Sequence, residues 1–415
     1  MGVMSALAGI AAVPPSLSIE AVADAVGRQF GYGGDFRPLV SERDQNFCLL
    51  TADGSRYLVK VTSAAEAVTT TTFQLGALRH LEPCPDVIAP TIVSTLDGDE
   101  WGHIDNRGSS HRLRLLSWVD GDQFAALGID VALAGAFGRA LGRLDDALAG
   151  YAYQGDNPVL LWDLQRIAGL RPLLRCIDDA DIRVSVEAAI DDFEEIVVPL
   201  KAELPHQVIH ADANPENVLA CSGGVGFIDF GDIVRAPRCF EPGIAASYLR
   251  IDGGDPLELV RPFISGYHAV AALEPSEVEV MFDIVRARLA TSIALLYWRL
   301  QDRPADDEDR CKSLESERNA SHFLAALDTA RYHRAATRNR EHVLNRHQEI
   351  TVNRTLRLRN VAVHLLDQLV NRRNTNVRLV TLERLQRRTR HDRRVITREL
   401  VRAQEIRNFH LHQLQ

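Results

Sequence analysis

The stretch from His210 to Asp232 constrains this chain more than any other part of it. His210, Asp212 and Asn217 form an H-x-D-x-x-x-x-N loop, and Asp229-Phe230-Gly231 follows a short way on. Between Asn217 and Asp229 lie VLAC, the turn Ser222-Gly223-Gly224 and VGFI. Two apolar runs joined by a glycine turn predict a β-hairpin, which brings the chain back to its starting point and sets Asn217 beside Asp229. An amide oxygen and a carboxylate side by side suit a hard divalent cation such as Mg2+. Asp212 is then a second carboxylate near the same ion. His210 is expected to brace the loop through hydrogen bonds rather than to titrate.

The N-terminal part predicts a small β-rich lobe. Residues 17–30 carry apolar side chains at helical spacing behind a serine-rich start. NFCLLTA and RYLVKVT then flank Asp53-Gly54, a strong hairpin signal. Residues 64–82 return to helical periodicity, and TIVSTL and HRLRLLSWV read as further strands around LDGDEWG. Lys60 sits inside the apolar strand YLVKV, and the chain has only two other lysines, Lys201 and Lys312, against 44 arginines. A compact ammonium in that position suits phosphate oxygens. Its partner stays open between Gln74 and Glu66, both in the helical stretch that follows. Upstream, Ser41-Glu42-Arg43-Asp44-Gln45-Asn46-Phe47 contains no glycine, so any phosphate cradle there needs backbone N–H groups assisted by Ser41 and Asn46.

A strand lysine, an H-x-D loop with its asparagine and a D-F-G, in this order, are the parts that protein kinases use. Phosphoryl transfer asks a protein for positioning and charge, with a carboxylate oriented at the attacking hydroxyl. On this reading Asp212 is that carboxylate, Asn217 and Asp229 are the Mg2+ ligands, and Lys60 holds ATP phosphates. The expected fold is α+β and two-lobed, protein-kinase-like, with an antiparallel β-rich nucleotide-binding lobe at 17–118 and a larger helical catalytic and substrate lobe at 119–330. In the second lobe 131–149, 159–175, 182–203, 255–271 and 277–302 carry helical apolar stripes, broken by a β run at 206–230.

These motifs resemble the aminoglycoside phosphotransferase superfamily, and within it the hydroxylysine-kinase-like branch whose kinase module is otherwise fused to class III aminotransferases. The likeness runs from about residue 20 to 330 through SERDQNF, YLVKV, FQLGALRHL, RLLSWVDG, LGRLDDALAGY, LLWDL, VIHADANPENVL, GFIDFGD, GIAASY and RARLATSIALLYWR. It implies Lys60 on the ATP phosphates, Trp118 of SWVDG at the adenine hinge, Asp212 as catalytic base, and Asn217 and Asp229 on Mg2+. The acceptor it implies is an amino alcohol, a hydroxylated amino acid or an aminoglycoside. Two departures stand out: Ala211 where the branch commonly has glycine, and Glu241-Pro242 where it more often has Asp-Leu.

Charge is divided sharply along the chain. Residues 1–330 hold 27 Lys and Arg against 49 acids, a balance of −22 that would attract cationic acceptors, while residues 331–415 hold 20 Arg against 7 acids. This basic extension, helical or poorly ordered, has few aromatic residues, and nucleic-acid binding is not expected of it. The six cysteines are scattered without a C-x-x-C pair, which points away from disulfide scaffolds and structural zinc. No stretch is apolar enough to span a bilayer and the start lacks a basic leader, so a cytoplasmic location is expected. A rival reading is a catalytically silent pseudokinase or nucleotide-binding scaffold acting through its basic tail.

Overall fold

The computed structural model describes residues 14–41, 43–153, 157–251, 255–301, 313 and 318–328. The basic extension at 331–415, Glu42, Cys311 and Lys312 lie outside the described residues.

The first lobe opens with α1 (Ile19–Phe30). The Ser18 hydroxyl accepts from the Ala21 N–H at its start, and Gly31, at φ +76°, ends it. Strands β1 (Gly34–Leu39), β2 (Gln45–Thr51) and β3 (Arg56–Val61) follow, then α2 (Val68–Leu81), β4 (Ile92–Val93), β5 (Gly102–Asn106) and β6 (Ser109–Ser117). The six strands form one antiparallel sheet in the order β1-β2-β3-β6-β4, with β5 also paired to β6. Strand β1 went unpredicted because Pro38 and two polar residues interrupt it; as an edge strand it tolerates the proline.

Alternation across this sheet decides where Lys60 points. Phe47, Leu49, Val59, Val61, Leu113 and Leu115 pack with Val22, Val26 and Phe30 of α1 into one buried cluster. Each such side chain gains about 1.5–3 kcal/mol from burial. A slip of one residue would push Lys60 into that core, so the register is strongly held. The register aligns Asn46, Lys60 and Arg114 across β2, β3 and β6.

Strand β6 leads through Trp118 to β7 (Asp122–Gln123), which pairs with β9 (Val218–Cys221) of the second lobe. That lobe contains α3 (Val131–Leu148), α4 (Ala180–Asp192), β8 (His206–Ile209), β10 (Gly224–Phe227), β11 (Val234–Pro237), α5 (Phe240–Ala246), α6 (Val260–His268) and α7 (Pro275–Leu300). Helices α3 and α6 approach closely at Gly138, where an added Cβ would lie 1.9 Å from the Phe263 carbonyl oxygen.

Two helical expectations change in detail. The stretch expected at 159–175 is a 3-10 helix at Leu164–Cys176, with Pro172 inside it unable to donate to the turn before. The one expected at 182–203 ends as α4 at Asp192 and widens into a π turn at Phe193–Val197, ahead of Pro199. Among the described residues no helix is long and apolar enough to cross a membrane.

Candidate active site

The hairpin β9–β10 forms as expected, with Val218 opposite Phe227. Beyond its open end the Ile228 N–H donates to the Asn217 carbonyl at 3.0 Å, so Asn217 and Asp229 flank the junction. Lys60, Ser41, Asn46, Trp118, Asp212, Asn217 and Asp229 all line one cleft of about 1050 Å³ between the β-rich and helical lobes. Of the residues singled out, His210 alone stays behind it.

His210 is fully buried, and its Nδ1 accepts from the Asp212 N–H at 3.3 Å. Its proton therefore belongs on Nε2, which donates to the Ile228 carbonyl at 3.0 Å. Burial pushes its pKa down, so it stays a neutral brace tying the H-x-D loop to the segment that leads into the D-F-G.

Lys60 reaches two carboxylates. Its Nζ is 3.3 Å from Asp44 Oδ2 and 3.5 Å from Asp229 Oδ1. Burial alone would lower its pKa, but the charges of Asp229 and Asp44 outweigh that and raise it. Neither Gln74 nor Glu66 is the partner. Gln74 accepts from Arg114 at 2.8 Å and donates to the Gly231 carbonyl at 3.0 Å, joining the sheet to the D-F-G. Glu66 accepts from the Thr71 hydroxyl at 2.6 Å. The acid is Asp44, from the glycine-free loop, and it also lies 3.4 Å from Arg114 and accepts from the Ser63 N–H.

The same loop sends Arg43 across to Asp232, which it meets at 2.6 Å. Asn46 leaves its buried Oδ1 without a partner among the described residues. Trp118 carries the Arg56 guanidinium 5.3 Å above its ring.

Asp212 is held on both oxygens. Asn217 Nδ2 donates to Oδ2 at 2.8 Å, and Arg288 Nη2, from α7, donates to Oδ1 at 3.0 Å. Removal from water raises its pKa to about 7 despite that arginine. Asp229 goes the other way, to about 2, because Lys60 sits against it.

Two backbones are bent for this site. Ala211 has φ +62° and Asp229 φ +57°, a region that disfavours side chains. Glu241 answers the first: fully buried on α5, its Oε2 accepts from the Ala211 N–H at 2.7 Å. The departure from Asp-Leu at 241 and 242 thus keeps a carboxylate behind the catalytic loop. Asp44, Arg43, Arg114 and Arg288 went unnoticed in the sequence. Arg288 had a signal, since it shares a helical stripe with Ile284, Thr291 and Leu295, all buried.

A model of the phosphotransferase enzyme family matches residues 35–277. The chain is 24% identical over 310 residues to a hydroxylysine kinase of Danio rerio, covering 71% of this chain and 87% of that protein. It is 27% identical over 263 residues to a homoserine kinase of Allorhizobium ampelinum, covering 62% and 77%. In fold it resembles an amicoumacin kinase solved with AMP-PNP and Ca2+, at a TM-score of 0.59 and 15% identity, over 74% of this chain and 94% of the other.

Proposed function

The chain belongs to the phosphotransferase enzyme family, as its motifs implied, and from that premise we propose that it moves the γ-phosphate of ATP to a hydroxyl of a small molecule. The acceptor is an amino alcohol, a hydroxylated amino acid of the hydroxylysine type, or an aminoglycoside. The observation that carries this reading is the convergence of Lys60, Asp212, Asn217 and Asp229 on one cleft.

Each side chain has a task set by its surroundings. Lys60, kept charged by Asp44 and Asp229, binds phosphate oxygens of the nucleotide. Ser41 and Asn46 line the same cleft, where the Ser41 hydroxyl and the Asn46 side-chain amide N–H would donate to phosphate oxygens, and Trp118 borders the adenine end. Asp212 orients the acceptor hydroxyl and takes its proton. As the O–H bond breaks, the acceptor oxygen forms a bond to the γ-phosphorus, and the bridging P–O bond breaks with its electrons staying on ADP.

Asn217 and Asp229 fit an Mg2+ ion. Asn217 directs its N–H donors at Asp212, which leaves its side-chain oxygen for a cation, and the Asp229 carboxylate is half exposed to the cleft. Mg2+ leans on substrate phosphates and water as well as protein oxygens, so two side chains are enough for it. Once bound, the ion would neutralise phosphate charge.

The test is ATP turnover by the full chain across hydroxylysine, homoserine, amino alcohols, choline and aminoglycosides. Phosphorylation of one or more is expected. Nucleotide binding with no transfer to any of them would instead support the catalytically silent alternative.

A further inference from the structure

We propose that Arg43 is a further catalytic residue, which donates hydrogen bonds to the γ-phosphate of the nucleotide and offsets the charge that gathers there during transfer, with Asp232 positioning it. This rests on the transfer reaction proposed above and adds a residue to the same site.

The loop that carries Arg43 explains why a side chain is needed. Residues 41–47 hold no glycine, and their Cβ atoms keep the backbone from the close approach to phosphate that glycine permits. A long side chain reaches further, and a guanidinium presents a planar fork of donors that matches phosphate oxygens.

The guanidinium already stands over the D-F-G. Arg43 Nη2 donates to Asp232 Oδ1 at 2.6 Å, from the β-rich lobe to the helical lobe. A Cβ on Gly231 would lie 3.3 Å from Arg43 Nη2 and 2.9 Å from Asp229 Oδ1, so the cation hangs beside the carboxylate assigned to Mg2+. Asp232 and Asp229 both push upward on the pKa of Asp212, which sets the base, the metal ligand and the anchor of Arg43 in one neighbourhood. The bond to Asp232 is the guanidinium's one hydrogen bond among the described residues, and the side chain is 43% exposed. Its other donors are therefore open to the cleft while Asp232 fixes their direction.

The other cleft-lining cations are committed elsewhere. Among the described residues these are Arg56, Lys60, Arg114 and Arg288. Arg56 pairs with Asp120 and lies over Trp118. Arg114, 3% exposed, is spent on Gln74 and Asp44, and the equally buried Arg288 is spent on Asp212, Tyr248 and Trp162. Lys60 shares its charge between Asp44 and Asp229. During transfer negative charge spreads over the three equatorial oxygens of the γ-phosphoryl group, and a cation aimed there lowers the barrier. Arg43 is the side chain placed to supply it.

The experiment separates a contact with the third phosphate from a tie between the two lobes. Binding of AMP-PNP and of ADP, each with Mg2+, is measured by titration calorimetry on the full chain. Arg43→Gln should weaken AMP-PNP roughly tenfold, the scale of one charged hydrogen bond, and leave ADP within about threefold of the parent. Asp232→Asn breaks the same ion pair but keeps the cation, so it should cost AMP-PNP less than Arg43→Gln does. With an accepted hydroxyl substrate, kcat of Arg43→Gln should fall about 10²–10³-fold, as for other donors aimed at developing charge. The proposal is overturned if Arg43→Gln weakens both nucleotides alike or neither, if Asp232→Asn loses as much AMP-PNP affinity, or if kcat is unchanged. Transfer by the parent keeps the two ideas apart. Its absence with every acceptor would sink the kinase reading, whereas transfer that survives in Arg43→Gln would sink only the role of Arg43.

Discussion

The Lys60 ammonium meets the Asp44 carboxylate at 3.3 Å, so the strand lysine is held by the loop before β2 and not by an acid on α2. Asp44 is 7% exposed, and it serves two cations at once, the partly buried Lys60 and the buried Arg114. Asp44→Asn leaves the buried Arg114 without its carboxylate and Lys60 with Asp229 alone, which costs on the order of 3 kcal/mol. A loss of unfolding free energy of that size is expected in urea titration. Lys60→Met removes the group that contacts phosphate, and KM for ATP should rise roughly tenfold or more on the scale of a lost charged hydrogen bond. If Lys60→Met left KM for ATP unchanged, the phosphate role of Lys60 would be wrong.

Asp212→Asn should separate catalysis from folding. The site lifts the Asp212 pKa to about 7 even with Arg288 attached, so the surroundings already disfavour its charge. A neutral amide of the same shape should therefore fold and bind AMP-PNP normally. Turnover should fall by about 10²–10⁴-fold, the usual contribution of a positioned general base. Calorimetry with AMP-PNP beside a coupled ADP assay checks both halves, and near-normal transfer would remove Asp212 from its role.

What could be read ahead of the structure follows from how local each feature is. Asn217 and Asp229 were legible because one hairpin joins them, and Lys60 because a lone ammonium in an apolar strand has few purposes. Asp44 was not, since its contact with Lys60 is made across the pairing of β2 with β3 and not along the chain. Arg288 meets Asp212 across 76 residues of chain, a closure that no spacing rule encodes. Its buried helical stripe could have marked it as an interior cation, yet not its partner. The helical stretches at 159–175 and 182–203 were placed by periodicity alone, and the prolines at 172 and 199 reshaped both.

Ala211 sits at φ +62°, where a Cβ crowds the backbone at a cost of roughly 1–2 kcal/mol. Ala211→Gly relieves that strain in the native state but also frees the unfolded chain, which returns about 0.4–1 kcal/mol of the gain. The net expectation is a stabilisation of a few tenths to about 1 kcal/mol. KM for both substrates should be unchanged, because the Ala211 N–H keeps its bond to Glu241. A variant less stable than the parent by thermal melting would show that the methyl group is packed rather than strained.

Glu241 makes stability depend on pH in a particular direction. Enclosed on α5, with Oε1 unpartnered among the described residues and the charge of Glu241 felt by the equally buried Asp145, its carboxyl is pushed by burial from 4.5 to about 7. A group whose folded pKa lies above its unfolded value binds its proton more tightly in the native state. Its contribution is then fully present below about 4.5 and is lost as pH rises through about 7. Glu241→Gln cannot titrate, yet it still presents an oxygen to the Ala211 N–H. Its stability should therefore decline less than the parent's across this window, by on the order of 1–3 kcal/mol. Urea unfolding of both proteins at several pH values between about 5 and 8 measures the slopes. Parallel curves would mean that Glu241 ionises as easily inside the protein as in water, and that the carboxylate behind the catalytic loop is not buried as described.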